Sequence, residues 1–88
     1  MFYVYVLRSE MDAERHYVGV TGDLKDRLSR HNAGQVSPTS KHRPWLLQTY
    51  VAFDDRARAH AFESYLKSGS GRAFAERHLW LTSAAIRA

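Results

Sequence analysis

The chain has 88 residues, 44% of them apolar and 25% charged, with a net charge of +4 and no cysteine. That length supports one modest core and excludes a multidomain enzyme, while the missing cysteine excludes disulfides, thiolate metal sites and a thiol nucleophile. Ten Arg against three Lys favour forked recognition of phosphate or carboxylate, so the expected partner is a polyanion.

Residues 2–9, FYVYVLRS, are aromatic and β-branched, as are residues 16–21, HYVGVT. With a polar stretch between them they predict an antiparallel hairpin with a long loop. Alternation sets Tyr3, Tyr5 and Leu7 on one face of the first strand and Phe2, Val4 and Val6 on the other. In the second strand, Tyr17 and Gly19 oppose Val18 and Val20. A helix over 23–33 follows, with Thr21 or Asp23 as N-cap and Gly34 as its stop. Leu24, Arg27, Leu28 and His31 then fall on one stripe, which sets a cation and an imidazole among leucines.

QVSPTSKHRP reads as a loop bracketed by Pro38 and Pro44, and WLLQTYVAF as a third strand. From Asp54 or Asp55 a second helix carries Ala59, Phe62 and Leu66 on its apolar side. The GSG at 69–71 reads as a break, and a third helix starts near Arg72 with Phe74, Leu79 and Trp80. The order ββαβαα, without repeat or linker, predicts an α+β fold: a three-stranded antiparallel sheet flanked by helices. A single domain over 1–82 with a short tail, 83–88, is expected. No segment approaches the roughly 20 apolar residues of a membrane span, and the N-terminus shows no basic leader followed by a long apolar run. A soluble, cytoplasmic protein with no membrane partner is expected.

Two strand motifs, YVY at 3–5 and YVG at 17–19, precede Arg27 and His31 on the first helix and Glu63 on the second. Tyr5 and Tyr17 are separated by 11 residues, and Arg27 lies eight after Gly19. This constellation resembles the GIY-YIG nuclease superfamily over residues 2–80, and is closest to its small stand-alone members. The resemblance implies a metal-dependent phosphodiester hydrolase with one Mg²⁺ or Mn²⁺ ion and with DNA, branched or damaged DNA included, as partner. It implies Tyr5, Tyr17, Arg27, His31 and Glu63 as catalytic residues, Glu63 as the metal ligand and Gly19 as the motif glycine. Tyr3 stands where the first motif has its glycine. The late asparagine of several members has no counterpart, Asn32 being the only Asn.

The side chains support the same chemistry by themselves. Phosphodiester hydrolysis needs a base for water, positive charge on the phosphoryl oxygens and support for the leaving alkoxide. The guanidinium of Arg27 suits the phosphoryl oxygens, and Glu63 with bound waters suits Mg²⁺. Tyr17 or Tyr5 is the expected base, with His31 relaying or orienting the proton. Lys41, Arg43 and Arg30 are expected at backbone phosphates.

Each residue also has a plainer reading. The tyrosines serve equally as half-buried sheet residues, Glu63 as a partner of Lys67, Arg27 as a partner of Asp23, and His31 as a helix C-terminal residue favoured by the dipole. For the whole chain the alternatives are a nucleic-acid-binding module of the same fold without turnover, or an interaction domain built on Trp45, Trp80 and Tyr65.

Overall fold

The structure is a computed structural model and describes residues 1–80. Strand β1 (Phe2–Ser9) runs between β2 (His16–Thr21) and β3 (Trp45–Phe53), antiparallel to both, in the order β2-β1-β3. Helices α1 (Leu24–Asn32), α2 (Arg56–Leu66) and α3 (Gly69–His78) complete the expected ββαβαα order. The expected boundary at 82 and the tail 83–88 lie outside the described residues.

The central position of β1 explains why Val4, Tyr5, Val6 and Leu7 are all buried: both faces and both edges are covered. Alternation sends Val4 and Val6 to α2 and α3, where they pack with Val18, Ala59, Leu66 and Ala75. Tyr5 and Leu7 face α1, packing with Trp45, Tyr17, Leu24 and Leu28. The sheet is therefore the middle of three layers, with one small core on each side.

Asp23 caps α1 by accepting from the Asp26 N–H at 3.1 Å, and Asp55 caps α2 by accepting from the Ala57 N–H at 3.2 Å. Thr21 instead accepts from the Asp23 N–H at 3.1 Å, bracing the turn before the helix.

Three expectations are corrected. The segment read as a loop winds Ser37–His42 into a 3₁₀ helix, with Pro38 in its first turn supplying a preset φ. The GSG read as a break is the first turn of α3, which starts at Gly69 with Ser68 accepting from the Gly71 N–H at 3.2 Å. A Cβ at Gly71 would overlap the Tyr65 carbonyl, so this glycine permits close α2–α3 packing. Trp45, one of the three residues of the alternative interaction-domain reading, is a core residue whose Nε1–H donates to the Thr39 carbonyl at 2.8 Å.

Asn32, at the end of α1, grips the start of β3. Its Oδ1 accepts from the Trp45 N–H at 2.6 Å and its Nδ2 donates to the Trp45 carbonyl at 3.0 Å. Among the described residues no helix is long and apolar enough to cross a membrane. Because Asn32 satisfies both backbone groups of Trp45, Asn32→Ala is expected to destabilise the fold by about 1–3 kcal/mol. Urea unfolding checks this as a lower midpoint at unchanged slope.

Candidate active site

Tyr5 lies opposite Gly19 on β2 and Tyr50 on β3. A Cβ at position 19 would overlap the Tyr5 hydroxyl and Cζ, so the glycine gives the phenol its space over β2. The Tyr5 hydroxyl meets His31 Nε2 of α1 at 2.9 Å. On the other side of the ring, His31 Nδ1 is 2.7 Å from Thr39 Oγ1. The Thr39 hydroxyl donates to the Val36 carbonyl at 3.1 Å.

These contacts determine a direction. The Thr39 proton is committed to Val36, so Thr39 Oγ1 is the acceptor for the His31 Nδ1–H. In a neutral imidazole Nε2 is then the acceptor, and Tyr5 donates to it. Burial, helped by the charge of Arg27, holds the His31 pKa below its ordinary 6.5, which keeps the ring neutral. Burial pushes the Tyr5 phenol up to about 12; Tyr17 and Glu63 add to the shift and the Arg27 guanidinium opposes it. Tyr5, His31 and Thr39 are 1%, 0% and 0% exposed. Tyr5 is thus a buried neutral donor to His31, with the Arg27 guanidinium in hydrogen-bonding contact with its hydroxyl.

Tyr17 shares this face, half-buried, with its ring centroid 4.9 Å from that of His31 and 6.4 Å from that of Tyr5. Arg27 stands one turn before His31 on α1, and its charge acts on both Tyr5 and His31. Its backbone N–H donates to the Asp23 carbonyl at 3.0 Å, but among the described residues its side chain has no carboxylate within ion-pair distance. Glu63 comes from α2. Its side chain is 19% exposed, pairs with Lys67 at 3.1 Å, and contributes its negative charge at Tyr5. Tyr17, Arg27 and Glu63 therefore share one electrostatic neighbourhood around the Tyr5 phenol.

The other expected residues lie apart. Lys41 and Arg43 line a separate cavity of about 420 Å³ with Met11, Asn32, Ser40 and Pro44. Arg30 pairs with Asp26 at 2.8 Å on the exposed side of α1. Tyr3 packs edge-on against Tyr50, ring centroids 5.7 Å apart. Among the described residues no three His, Cys, Asp or Glu side chains cluster as metal ligands. A divalent ion would rest on the single carboxylate of Glu63 and complete its shell with water and phosphate oxygens, a donor set that fits Mg²⁺. Thr39 is the residue that sequence reasoning missed. Nothing in SPTS marks it, although a buried histidine on an apolar stripe requires two partners and so calls for one.

The family model described as the GIY-YIG catalytic domain matches residues 1–76. The chain belongs to the GIY-YIG family. Similar proteins include UPF0213 proteins of Streptococcus pyogenes serotypes M5 and M3, each 38% identical over 71 residues, which is 80% of this chain and 75% of theirs. The solution structure of a UPF0213 protein from Bacillus halodurans matches with a TM-score of 0.50 at 27% identity, covering 84% of this chain and 81% of that one. GIY-YIG membership carries a nuclease-type catalytic domain, a nucleic-acid substrate and the family's general use of divalent metal ions.

The fold favours neutral His31, so its stabilising contribution is complete above pH 6.5 and is lost as pH falls through its lowered pKa. An NMR titration of the histidine ring protons is expected to place His31 below 6.5. The fold likewise favours the neutral Tyr5 phenol, whose contribution is present below pH 10.0 and lost as pH rises through about 12. Thr39→Val leaves a buried imidazole N–H without an acceptor and is expected to cost about 1–3 kcal/mol in a denaturant titration.

Proposed function

We propose that this protein is a metal-dependent endonuclease that hydrolyses DNA phosphodiester bonds, with Tyr17 as the base. The carrying observation is the direction of the Thr39–His31–Tyr5 hydrogen bonds. Tyr5 is committed as an inward donor, which leaves half-buried Tyr17, on the same face, as the phenol that water reaches.

In this reading the oxygen of water bonds to phosphorus as the bond from phosphorus to the leaving oxygen breaks. Tyr17, acting as general base, takes the water proton. Arg27, whose guanidinium has no carboxylate to satisfy it, places two N–H donors on the phosphoryl oxygens, where negative charge grows. Glu63 would hold the divalent ion, which when bound would supply positive charge at the leaving alkoxide. His31 and Thr39 touch no substrate. They are positioning residues that hold the Tyr5 ring, and through it the face on which Tyr17 stands.

The test is cleavage of plasmid or branched DNA in Mg²⁺ or Mn²⁺. Nicking by the wild type that stops with EDTA is expected. Arg27→Ala, Glu63→Gln and Tyr17→Phe are each expected to slow it by about 10²-fold or more, because each removes charge stabilisation or proton transfer in the transition state. Tyr5→Phe is expected to lower stability more than turnover, separating the two tyrosines. DNA binding without cutting would identify a binding module of the same fold, and cleavage that survives both Arg27→Ala and Glu63→Gln would overturn the reading.

A further inference from the structure

The side of α2 that carries Glu63 carries two more groups for which the reaction above has no use. Arg56, His60 and Glu63 follow one another at helical spacing along one stripe, beside the apolar stripe of Ala59, Phe62 and Leu66. At 1.5 Å per residue, His60 stands about 5 Å and Arg56 about 10 Å along the helix axis from Glu63. Both open into a cavity of about 230 Å³ at the end of β2, which Arg27, Thr21 and Gly22 also line.

The lining of this cavity has no carboxylate. Among the described residues, Arg56 and His60 make no ion pair and no side-chain hydrogen bond, whereas neighbouring Arg58 lies 3.9 Å from Asp55. Asp55 is further committed to capping α2. Nothing stands within 4 Å of where a Gly22 Cβ would be, so the mouth is open. With Arg27 and Arg56 both on its lining and no carboxylate to answer them, the cavity is cationic, an arrangement that an anion relieves. Arg27 belongs to this cavity and to the catalytic group alike, so an anion seated here is a near neighbour of the phosphate under attack.

We propose that this cleft is a second phosphate site, which takes a backbone phosphate next to the scissile one on the same DNA strand. Arg56 forks onto its oxygens and His60 donates a hydrogen bond to it. The stripe from Arg56 to Glu63 thereby sets which phosphate of the strand arrives at the metal ligand and Tyr17. The contacts are to backbone, so the site positions the strand without reading its sequence. This inference rests on the nuclease reading.

The experiment measures fluorescence anisotropy of a labelled DNA duplex over a KCl series, with EDTA present so that nothing is cut. Arg56→Ala is expected to raise Kd about tenfold, the loss of a charge-assisted contact. It is also expected to reduce the slope of log affinity against log salt by about one. His60→Ala is expected to give a smaller rise. Arg58→Ala removes the same charge from the same helix outside the cleft and is expected to change Kd and slope less than Arg56→Ala does. Circular dichroism melts confirm that each variant is folded. Equal effects of Arg56→Ala and Arg58→Ala, or no effect of either, overturn the cleft and leave the nuclease reading intact where the wild type cuts DNA in Mg²⁺. A wild type that neither binds nor cuts DNA overturns both.

Discussion

The hydroxyl of Tyr5 reaches His31 only because position 19 has no side chain, and His31 can accept its proton only because Thr39 has already taken the other ring nitrogen. Three polar groups are buried together, a situation that costs free energy unless each finds its partner. Here each does, and in doing so they tie the central strand, the first helix and the 3₁₀ segment into one unit. The same contacts explain why α1 sits with its polar end inward. Leu24 and Leu28 pack on the Tyr5 side of the sheet, and His31 continues their stripe as a satisfied core residue.

Around that buried line the charged groups are arranged differently. Several cations on the helices have partners: Arg30 with Asp26, Arg58 with Asp55, Lys67 with Glu63. Among the described residues Arg27 and Arg56 have no carboxylate within ion-pair distance, and they line one cavity. Surface ion pairs contribute little to stability, so pairing alone would not mark these residues. What distinguishes them is that the lining of this cavity has no carboxylate to answer two guanidinium groups.

Much of the fold was legible because its signals are local. The aromatic and β-branched runs at 2–9, 16–21 and 45–53 became strands with those ends, and Gly19 was recognised by its motif before its steric reason was visible. The misreadings came where a residue's usual role was overridden by something distant in the chain. Gly69–Gly71 looked like a breaker, but a glycine is what lets α3 pass the Tyr65 carbonyl, and Ser68 caps the turn that follows. Trp45 looked available for a partner, but Thr39 and Asn32 hold it in the core.

The amino-acid order by itself determined the family, the sequence of elements and the face on which each strand residue lies, since a period of two in strands and the caps of helices depend on immediate neighbours. Only the tertiary structure decided the direction of protons. Tyr5 and His31 are 26 residues apart, and His31 and Thr39 are eight apart, and until those groups met in a dry interior nothing distinguished one tyrosine from the other. It also decided which residues share a cavity: Thr21 and Gly22 after β2, Arg27 of α1 and Arg56 and His60 of α2 meet around one space only once the layers have packed.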